Sequence, residues 1–317
     1  MGKWNILVTP AEACAMCAEL PQDVFGDFDL VLTHGRVADP KHLHQLLLDK
    51  DGVVLDIEPI TKSVLRDCQN LRVISRFGEG CDRIDFVACK QRAIRVTRTR
   101  GAGTMAVARH ALALILALTH HLIENDRNLK LEIWSRQENM SDNQLTVGIV
   151  GWGQIGQALA SMLKAVGFEV LVLSRGDVGT AVPKAVDLYD LIAKSNIVSL
   201  HLPVDDTTRQ IISAKVLSGF QGRFLVNTAR GALVDEEAVF QALNGGSLAG
   251  YATDVFVKEP PTGISAHLAA HPKVVCSPHV AALDRWTAAR MTRQALENVL
   301  WCLNGRPERV VAFADHG

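Results

Sequence analysis

A glycine-rich turn lies between an apolar run and an apolar-periodic stretch near the middle of this chain. The turn consists of Gly151, Trp152, Gly153, Gln154, Ile155 and Gly156. The run Leu145–Val150 precedes it and the stretch Gln157–Val166 follows it. Strand, glycine turn and helix in this order form the context in which GxGxxG predicts a dinucleotide site. The glycines allow a tight turn, close approach to a pyrophosphate and close helix–strand packing, and the helix N-terminus favours the anion.

Length and composition favour an enzyme of two domains. The 317 residues exceed the usual size of one hydrophobic core. A hydrophobic content of 48% and a net charge of −1 exclude a disordered chain and give no reason to expect nucleic acid as a partner. The apolar run Ala111–Leu118 is flanked too closely by arginine and histidine to span a membrane. We therefore expect a buried or subunit-interface helix there.

The first ten residues and the cysteine content bear on where in the cell the protein is located. Residues 1–10 contain no long apolar core, so we expect a first strand and no signal peptide. The seven cysteines are scattered and odd in number, which is typical of a reducing cytoplasm. We predict a cytoplasmic protein without a metal site.

Short apolar runs alternate with helical stretches on both sides of the glycine turn. Before it, the predicted strands are Asn5–Val8, Leu30–Leu32, Gly52–Leu55, Arg72–Ser75 and Arg95–Thr97. After it, they are Glu169–Leu173, Ile197–Leu200, Arg223–Asn227, Leu248–Tyr251 and Val274–Cys276. This alternation predicts an α/β fold with two doubly wound parallel sheets.

The domain boundaries are less sharply marked. We place the first crossing in Arg98–Gly103, which holds two glycines and three polar residues. The amphipathic segment Trp286–Leu303 begins after the last strand of the second domain. It could pack back on the first domain and make that domain discontinuous, but the sequence alone shows only that the helix exists.

The end of the second strand of the nucleotide domain bears on the choice of cofactor. An acid that holds the ribose hydroxyls is expected there, about twenty residues after the glycines. Leu173 instead precedes Ser174 and Arg175, which can hydrogen-bond and pair with a 2′-phosphate. We therefore predict NADP as the preferred cofactor. NAD stays possible, because Asp177 could take the ribose while Arg175 is a solvated surface charge.

Three further polar segments follow predicted strands in otherwise apolar surroundings. They are residues 227–231 (NTARG), 254–261 (DVFVKEPP) and 277–282 (SPHVAA). Residues at the carboxyl ends of parallel strands line the ligand crevice of such a sheet. Arg230 in the first segment can clamp a carboxylate with its planar set of donors. Each segment alone has an ordinary structural interpretation, but together they indicate a reaction site.

The ordered set GxGxxG, NTARG, DVFxxEPP and SPHVAA resembles the D-isomer-specific 2-hydroxyacid dehydrogenase family over nearly the whole chain. The resemblance implies a Rossmann nucleotide-binding domain over residues 99–285. It also implies a discontinuous, flavodoxin-like substrate domain from residues 1–98 and 286–317. Members of the family are commonly dimers that pair through the nucleotide-binding domain, so a homodimer is expected.

By this resemblance the catalytic residues are Arg230, Glu259 and His279. Reduction of a 2-keto acid needs a hydride at carbon and a proton at oxygen, and imidazole is the side chain that titrates nearest neutral pH. His279 would therefore be the acid/base, and Glu259 would orient it as a carboxylate does in a triad. Arg230 would hold the substrate carboxylate and polarise the carbonyl.

The resemblance implies further contacts on both sides of the reaction. Asp254 would lie near the nicotinamide carboxamide and Pro203 would border the ring. The remaining cofactor contacts are expected at His201, Thr228 and Ala281. Backbone N–H groups of Gly78–Gly80 would complete the substrate carboxylate site.

Three positions depart from the family pattern. Arg109 stands where many members have glutamate, which can change a subunit or interdomain contact. Glu79 stands inside the glycine loop, where it either faces outward or selects a substrate with a donor or positive group. Arg76 resembles the position that reads a phosphate in phosphoglycerate dehydrogenases; its alternative is a structural ion pair.

The favoured activity is NADPH-linked reduction of a small 2-keto acid of the glyoxylate or hydroxypyruvate type. The alternatives are a dehydrogenase of a phosphorylated or sugar-derived 2-hydroxy acid, and a nucleotide-sensing protein that resembles the family's corepressors. The chain ends soon after its final helix, so we expect no C-terminal regulatory domain.

Overall fold

A computed structural model describes residues 3–17, 19, 26–140, 145–180, 182–307, 310 and 313. The strands are β1 Trp4–Val8, β2 Phe28–Leu32, β3 Gly52–Leu55, β4 Val73–Arg76, β5 Arg95–Arg98, β6 Thr146–Val150, β7 Glu169–Leu173, β8 Ile197–Leu200, β9 Arg223–Asn227, β10 Leu248–Thr253 and β11 Val274–Cys276. The helices are α1 Ala11–Cys17, α2 Pro40–Leu47, α3 Phe86–Gln91, α4 Thr104–Thr119, α5 Leu122–Lys130, α6 Gln154–Ala165, α7 Leu188–Lys194, α8 Ala214–Leu217, α9 Glu236–Gly245, α10 Ile264–Ala270 and α11 Arg285–Leu303.

The chain divides into two compact units. Unit 1 consists of residues 1–103 and 283–317, and unit 2 of residues 104–282. The predicted strands all occur, and some of their ends are shifted by one or two residues. Helix α6 begins at Gln154, although the apolar pattern starts only at Gln157. The last three residues of the glycine turn, 154–156, therefore form the first turn of the helix.

Unit 1 contains a five-stranded parallel sheet in the order β2-β1-β3-β4-β5. This is the flavodoxin-like order of a doubly wound sheet. The long helix α11 packs on β3, β4 and β5. Its buried face, which includes Ala295, Leu296 and Val299, shares a core with Val54 and Val73. The amphipathic C-terminal segment therefore belongs to the same unit as the N-terminal strands.

The segment at and after the end of β5, which contains the predicted crossing Arg98–Gly103, lies in unit 1. Several hydrogen bonds hold it there, and three of them show the pattern. Thr99 Oγ1 accepts the N–H of Gly78, Gly101 donates its N–H to Glu79, and the guanidinium of Arg290 donates to the carbonyl of Ala102. These contacts connect residues far apart in sequence, so local composition did not reveal them.

Unit 2 contains a six-stranded parallel sheet in the order β11-β10-β9-β8-β6-β7. The order reverses at β6, which lies between β7 and β8. In doubly wound sheets, ligands bind outside the carboxyl ends of the strands at this switch point. The glycine turn follows β6 directly. These two sheets confirm the predicted fold class.

Helix α4 contains the apolar run that the sequence places in a buried or interface position. It packs against α6, and Ala111, Leu114 and Ile115 are buried in the same core as Val147 and Ile149. In the described ranges, no single helix is long and apolar enough to cross a membrane. Helices α4 and α5 pass that test only as a pair bent by 60°.

Candidate active site

The glycine turn after β6 is shaped by close backbone contacts. Gly151 has φ +105°, a conformation that favours glycine. A β-carbon on Gly151 would collide with the carbonyl oxygen of His201, and one on Gly156 would collide with the carbonyl oxygen of Gly151. The first and third glycines are therefore required by the protein's own packing.

Gly153 differs from the other two glycines. A β-carbon there would meet nothing within 4 Å, and Gly153 caps α6 without a side-chain hydrogen bond. Helix α6 has 12 residues, and its first N–H groups have no partner within the helix. At another strand end of the same sheet, the hydroxyl of Thr228 is buried with no hydrogen-bond partner in the described part of the chain. These features fit a dinucleotide whose pyrophosphate lies on Gln154 and Ile155.

The end of β7 carries a cluster of polar groups around Ser174 and Arg175. Ser174 Oγ accepts the N–H of Gly176 at 3.1 Å, which leaves its hydroxyl hydrogen free to donate elsewhere. Arg175 is 79% exposed. Lys184 donates to the carbonyl of Gly176 at 2.9 Å and so brings a second positive charge to this loop. Asp177 accepts the N–H of Gly179 at 3.0 Å, in a turn of its own.

His201 lies at the end of β8, beside the glycine turn. Its Nε2 is 2.8 Å from the hydroxyl of Ser199. Burial lowers the pKa of His201 to about 4. The ring is therefore neutral near pH 7, and it adds no charge beside the turn. Pro203, two residues on, is exposed, and its carbonyl accepts the hydroxyl of Thr208 at 2.8 Å.

Glu259 and His279 form a hydrogen-bonded pair. Glu259 Oε2 lies 3.0 Å from Nδ1 of His279, while Glu259 Oε1 accepts the N–H of Phe256 at 3.0 Å. The side chain of Glu259 is 16% exposed and that of His279 is 37% exposed. With Nδ1 held by the carboxylate, Nε2 is the nitrogen left to exchange a proton with a substrate.

Asp254 organises the turn that carries His279. Its carboxylate is almost fully buried and accepts hydrogen bonds from Ser277 Oγ at 2.5 Å, Val280 N at 2.9 Å and Ala281 N at 2.8 Å. The N–H of His279 donates to the carbonyl oxygen of Asp254 at 2.9 Å. His279 has φ +57°, which is costly for a residue with a side chain and persists only where its surroundings impose it. Asp254 supplies that constraint.

His110 extends this network and was not anticipated as a site residue. Its Nε2 lies 2.8 Å from Ser277 Oγ and 3.6 Å from Asp254 Oδ1. His110 comes from α4, 167 residues before Ser277. The only sequence signal is its position next to Arg109, which is exposed on the same helix. A contact across that sequence distance cannot be inferred from periodicity.

Arg230 follows β9 in the NTARG segment. Asn227 fixes this segment, because its side-chain NH₂ donates to the carbonyl of Arg230 at 2.8 Å and its Oδ1 accepts the N–H of Ala229 at 3.0 Å. The guanidinium of Arg230 donates from Nη1 to the carbonyl of Ala229 at 2.8 Å. Arg230 is half-buried, so its planar donors combine partial desolvation with access.

Two residues hold the Glu259 loop close to Arg230. A β-carbon on Gly231 would collide with the backbone of Phe256, so the two segments lie in direct contact. The buried carboxylate of Glu236 accepts the N–H of Val257 at 2.9 Å and the hydroxyl of Ser265 at 2.5 Å. Sequence reasoning missed Glu236, since its position at the start of α9 reads as an ordinary helix-start acid.

In unit 1, two of the predicted substrate contacts have partners within the protein. Arg76 is buried; its guanidinium donates to the carbonyl of Phe77 and lies 3.2 Å from Asp56. This is the structural ion pair that the sequence left open. The N–H of Gly78 donates to Thr99 Oγ1 at 2.8 Å, so it already has a partner.

Glu79 and Gly80 complete the predicted loop. Glu79 uses a carboxylate oxygen to accept the N–H of Gly101. In the described ranges, no group of three histidine, cysteine or acidic side chains could hold a metal ion.

Comparison with known proteins identifies the family. Residues 112–281 match the family described as D-isomer specific 2-hydroxyacid dehydrogenase, NAD binding domain. This chain belongs to that family. The match confirms the family predicted from the sequence motifs, and it makes unit 2 a nicotinamide-nucleotide domain.

Relatives match over most of their lengths. The chain is 36% identical over 270 residues to the glyoxylate reductase of Thermofilum pendens, covering 81% of this chain and 79% of that one. It is 32% identical over 252 residues to the hydroxypyruvate reductase of Thermotoga maritima, covering 78% and 82%. The solved structure of the TT0316 protein from Thermus thermophilus matches with a TM-score of 0.85 and 32% identity, covering 98% and 100%.

The Asp254 network predicts a graded response to mutation. Asp254→Ala should lower kcat at least about 100-fold, because the turn that holds His279 loses its three side-chain hydrogen bonds. Ser277→Ala, which removes one of them, should cost about tenfold or less. Steady-state kinetics with urea unfolding of each variant would measure this. A kcat within twofold of wild type for Asp254→Ala would contradict the role.

The pKa of His201 predicts a pH dependence of stability. Between the ordinary histidine pKa of 6.5 and about 4, the unfolded chain binds a proton at His201 that the folded chain does not. Stability should therefore fall as the pH drops through this window, by up to about 1.4 kcal/mol per pH unit. His201→Gln should flatten the curve of unfolding free energy against pH. An unchanged slope between pH 6.5 and 4 in the variant would show that His201 is not the group responsible.

Proposed function

We propose that this protein is an NADPH-linked reductase of small 2-keto acids of the glyoxylate or hydroxypyruvate type. The observation that carries the proposal is the 3.0 Å pair of Glu259 and His279 in the same unit as the glycine turn. This pair supplies an oriented acid/base beside a dinucleotide-binding sheet. The names of the two relatives described above support a small substrate.

The chain's own residues account for binding and proton transfer. Arg230 binds the substrate carboxylate and polarises the keto oxygen. His279, held at Nδ1 by Glu259, donates the proton on Nε2 to the developing alkoxide and takes a new proton from solvent afterwards. When bound, the reduced nicotinamide supplies the hydride that reaches the keto carbon.

Further residues would position the two reactants. Asp254 would lie near the carboxamide, with Pro203, Thr228 and Ala281 bordering the nicotinamide half. Within unit 1, the backbone N–H groups of Glu79 and Gly80 would be donors for a carboxylate.

The ion pair of Arg76 bears on the substrate class. With its guanidinium on Asp56 and on the carbonyl of Phe77, Arg76 has partners of its own that do not require a second substrate anion. This favours a singly charged 2-keto acid over a phosphorylated 2-hydroxy acid. The relatives described above are enzymes, which favours catalysis over a purely sensing role.

The preference for NADPH rests on the loop after β7. Ser174 has a free hydroxyl hydrogen, and Arg175 and Lys184 bring two positive charges. A 2′-phosphate can pair with all three groups. Asp177, an acid of the same loop that could hold an unmodified ribose, accepts the N–H of Gly179.

We also propose a homodimer formed through unit 2. Helix α5 and the segment after it, which has no regular structure, expose several large apolar side chains; they are Leu122, Ile123, Leu129, Leu131, Ile133 and Trp134. Trp134 is 81% exposed. Exposed apolar side chains concentrated over residues 122–134 indicate an interaction site, and a second copy of the chain is the partner proposed.

The acid/base assignment predicts a selective loss of turnover. His279→Ala should lower kcat by about 10²–10⁴-fold while the Kd of NADPH stays within twofold, because the imidazole transfers the proton and does not hold the cofactor. Glu259→Gln, which keeps a hydrogen-bonding side chain without the charge, should cost less. The exposed His267 offers a matched control. If His279→Ala keeps most of the activity, or if His267→Ala loses as much, the assignment is wrong.

The cofactor assignment predicts a selective loss of NADPH affinity. Arg175→Ala should weaken binding of NADPH by about tenfold or more, because one charge-assisted hydrogen bond is lost. Binding of NADH should weaken by less than twofold. Fluorescence titration of both nucleotides would measure the two values. Arg66→Ala removes one exposed positive charge from unit 1 and serves as the control. Equal losses for both nucleotides would refute a contact with the 2′-phosphate.

The dimer predicts a change in mass on mutation. Wild type should sediment at twice the chain mass of 34.5 kDa. Trp134→Asp should shift the population towards monomer, since it places a charge in the apolar interface. Val186→Asp alters an equally exposed apolar side chain outside that stretch and should leave the mass unchanged. A monomeric wild type would overturn the proposal.

A further inference from the structure

Arg175 has a negatively charged neighbour across the switch point of unit 2. Its Nη2 lies 3.6 Å from Oδ2 of Asp205. Arg175 follows β7 and Asp205 lies in the loop after β8, and these two strands flank β6 with its glycine turn. The two side chains therefore meet at the edge of the sheet where the nucleotide is expected.

The carboxylate of Asp205 is fixed by its own loop. Oδ1 accepts the N–H of Thr207 at 2.8 Å, the hydroxyl of Thr207 at 2.6 Å and the N–H of Thr208 at 2.9 Å. The N–H of Asp205 donates to Thr208 Oγ1 at 2.7 Å. One carboxylate oxygen is thus occupied by the turn, and the other faces Arg175.

These hydrogen bonds also keep the group charged. The hydroxyl of Thr207, with the backbone N–H groups, lowers the pKa of Asp205 below its ordinary value. Asp205 therefore presents a full negative charge to Arg175 at neutral pH. A surface ion pair of this kind contributes little to stability, so its effect is on what else Arg175 can bind.

We propose that Asp205 is a specificity-determining residue that competes with a 2′-phosphate for the guanidinium of Arg175 and so limits the preference for the phosphorylated cofactor. The inference rests on the proposed role of Arg175. A 2′-phosphate that pairs with Arg175 must displace Asp205 or lie beside it. Either costs affinity for the phosphorylated nucleotide and leaves the unphosphorylated one untouched.

The size of the effect follows from the exposure of the pair. Both side chains are more than a third exposed, so the repulsion acts through water-like screening. A single carboxylate near a phosphate then changes affinity by about three- to tenfold at low salt. The change should shrink as the ionic strength rises, because salt screens exposed charges.

Asp205 could instead serve as the ribose-binding acid that is missing after β7. The two roles predict opposite effects of neutralising Asp205 on nucleotide affinity. If Asp205 held the ribose hydroxyls, neutralising it would weaken binding of the unphosphorylated nucleotide. Its Oδ1 already accepts three hydrogen bonds and its Oδ2 pairs with Arg175, which favours competition over ribose binding.

The test is equilibrium binding of two half-cofactors, without substrate or turnover. Adenosine 2′,5′-bisphosphate and adenosine 5′-monophosphate would be titrated calorimetrically into wild type, Asp205→Asn and Asp206→Asn at low and high salt. Asparagine keeps the acceptor oxygen for Thr207 and Thr208, so the loop is retained. Asp206 is an exposed neighbour, and its substitution removes the same charge from the same loop.

In Asp205→Asn, we expect the bisphosphate to bind about three- to tenfold more tightly than in wild type, and the affinity for the monophosphate to stay unchanged. The gain in affinity for the bisphosphate should be smaller at high salt. In an Arg175→Ala background the gain should be largely lost. The inference would be overturned if Asp205→Asn left the ratio of the two affinities unchanged or weakened binding of the monophosphate. An equal gain in affinity for the bisphosphate in Asp206→Asn would overturn it as well. The ratio of the two affinities in wild type tests the proposed preference for NADP, whereas the change on Asp205→Asn tests the role of Asp205. Either proposal can therefore fail while the other holds.

Discussion

The buried carboxylate of Asp254 is the interaction on which the rest of the site depends. A charge this deep in a protein is tolerated only when hydrogen bonds replace its lost hydration, and here one hydroxyl and two backbone N–H groups do so. The same bonds determine the course of the chain after β11. His279 is thereby held in a conformation that it would not adopt unaided, with its ring against Glu259.

The three groups proposed as catalytic come from three strand ends of one parallel sheet. Arg230 follows β9, Glu259 lies beyond β10 and His279 follows β11, and these strands are neighbours in the order β11-β10-β9. Because parallel strands all end at the same edge, residues far apart in sequence lie close together there. The backbone contact at Gly231 and the buried Glu236 then fix the distance between segments. The fold thus brings three short motifs that are separate in sequence to one edge of the sheet.

Much of the fold could be predicted because its signals are local. The glycine turn had a strand before it and a helix after it, and each polar motif directly followed an apolar run, so their shared edge followed from the topology. The pair of Glu259 and His279 came from a family resemblance, and the structure brings the two side chains within hydrogen-bond distance. The association of α11 with unit 1 stayed open, because an amphipathic helix does not name the sheet it covers.

The parts that could not be predicted depend on contacts between distant residues. His110 reaches Ser277 from another helix, and Asp205 reaches Arg175 from another loop. The ordinary pattern of a buried helix or a polar turn contains no sign of either contact. Arg76 illustrates the same limit, since its sequence position is equally compatible with a substrate anion and with the partner it has, Asp56.

The proposed activity of the site is the reduction of small 2-keto acids with NADPH. The most direct measurement is the initial rate of cofactor oxidation by the purified protein, with NADPH and NADH in parallel, against glyoxylate, hydroxypyruvate, pyruvate and 2-ketobutyrate. We expect turnover of glyoxylate or hydroxypyruvate, with kcat/KM higher for NADPH than for NADH. Binding of both nucleotides without oxidation of either, across all four acids, would contradict it.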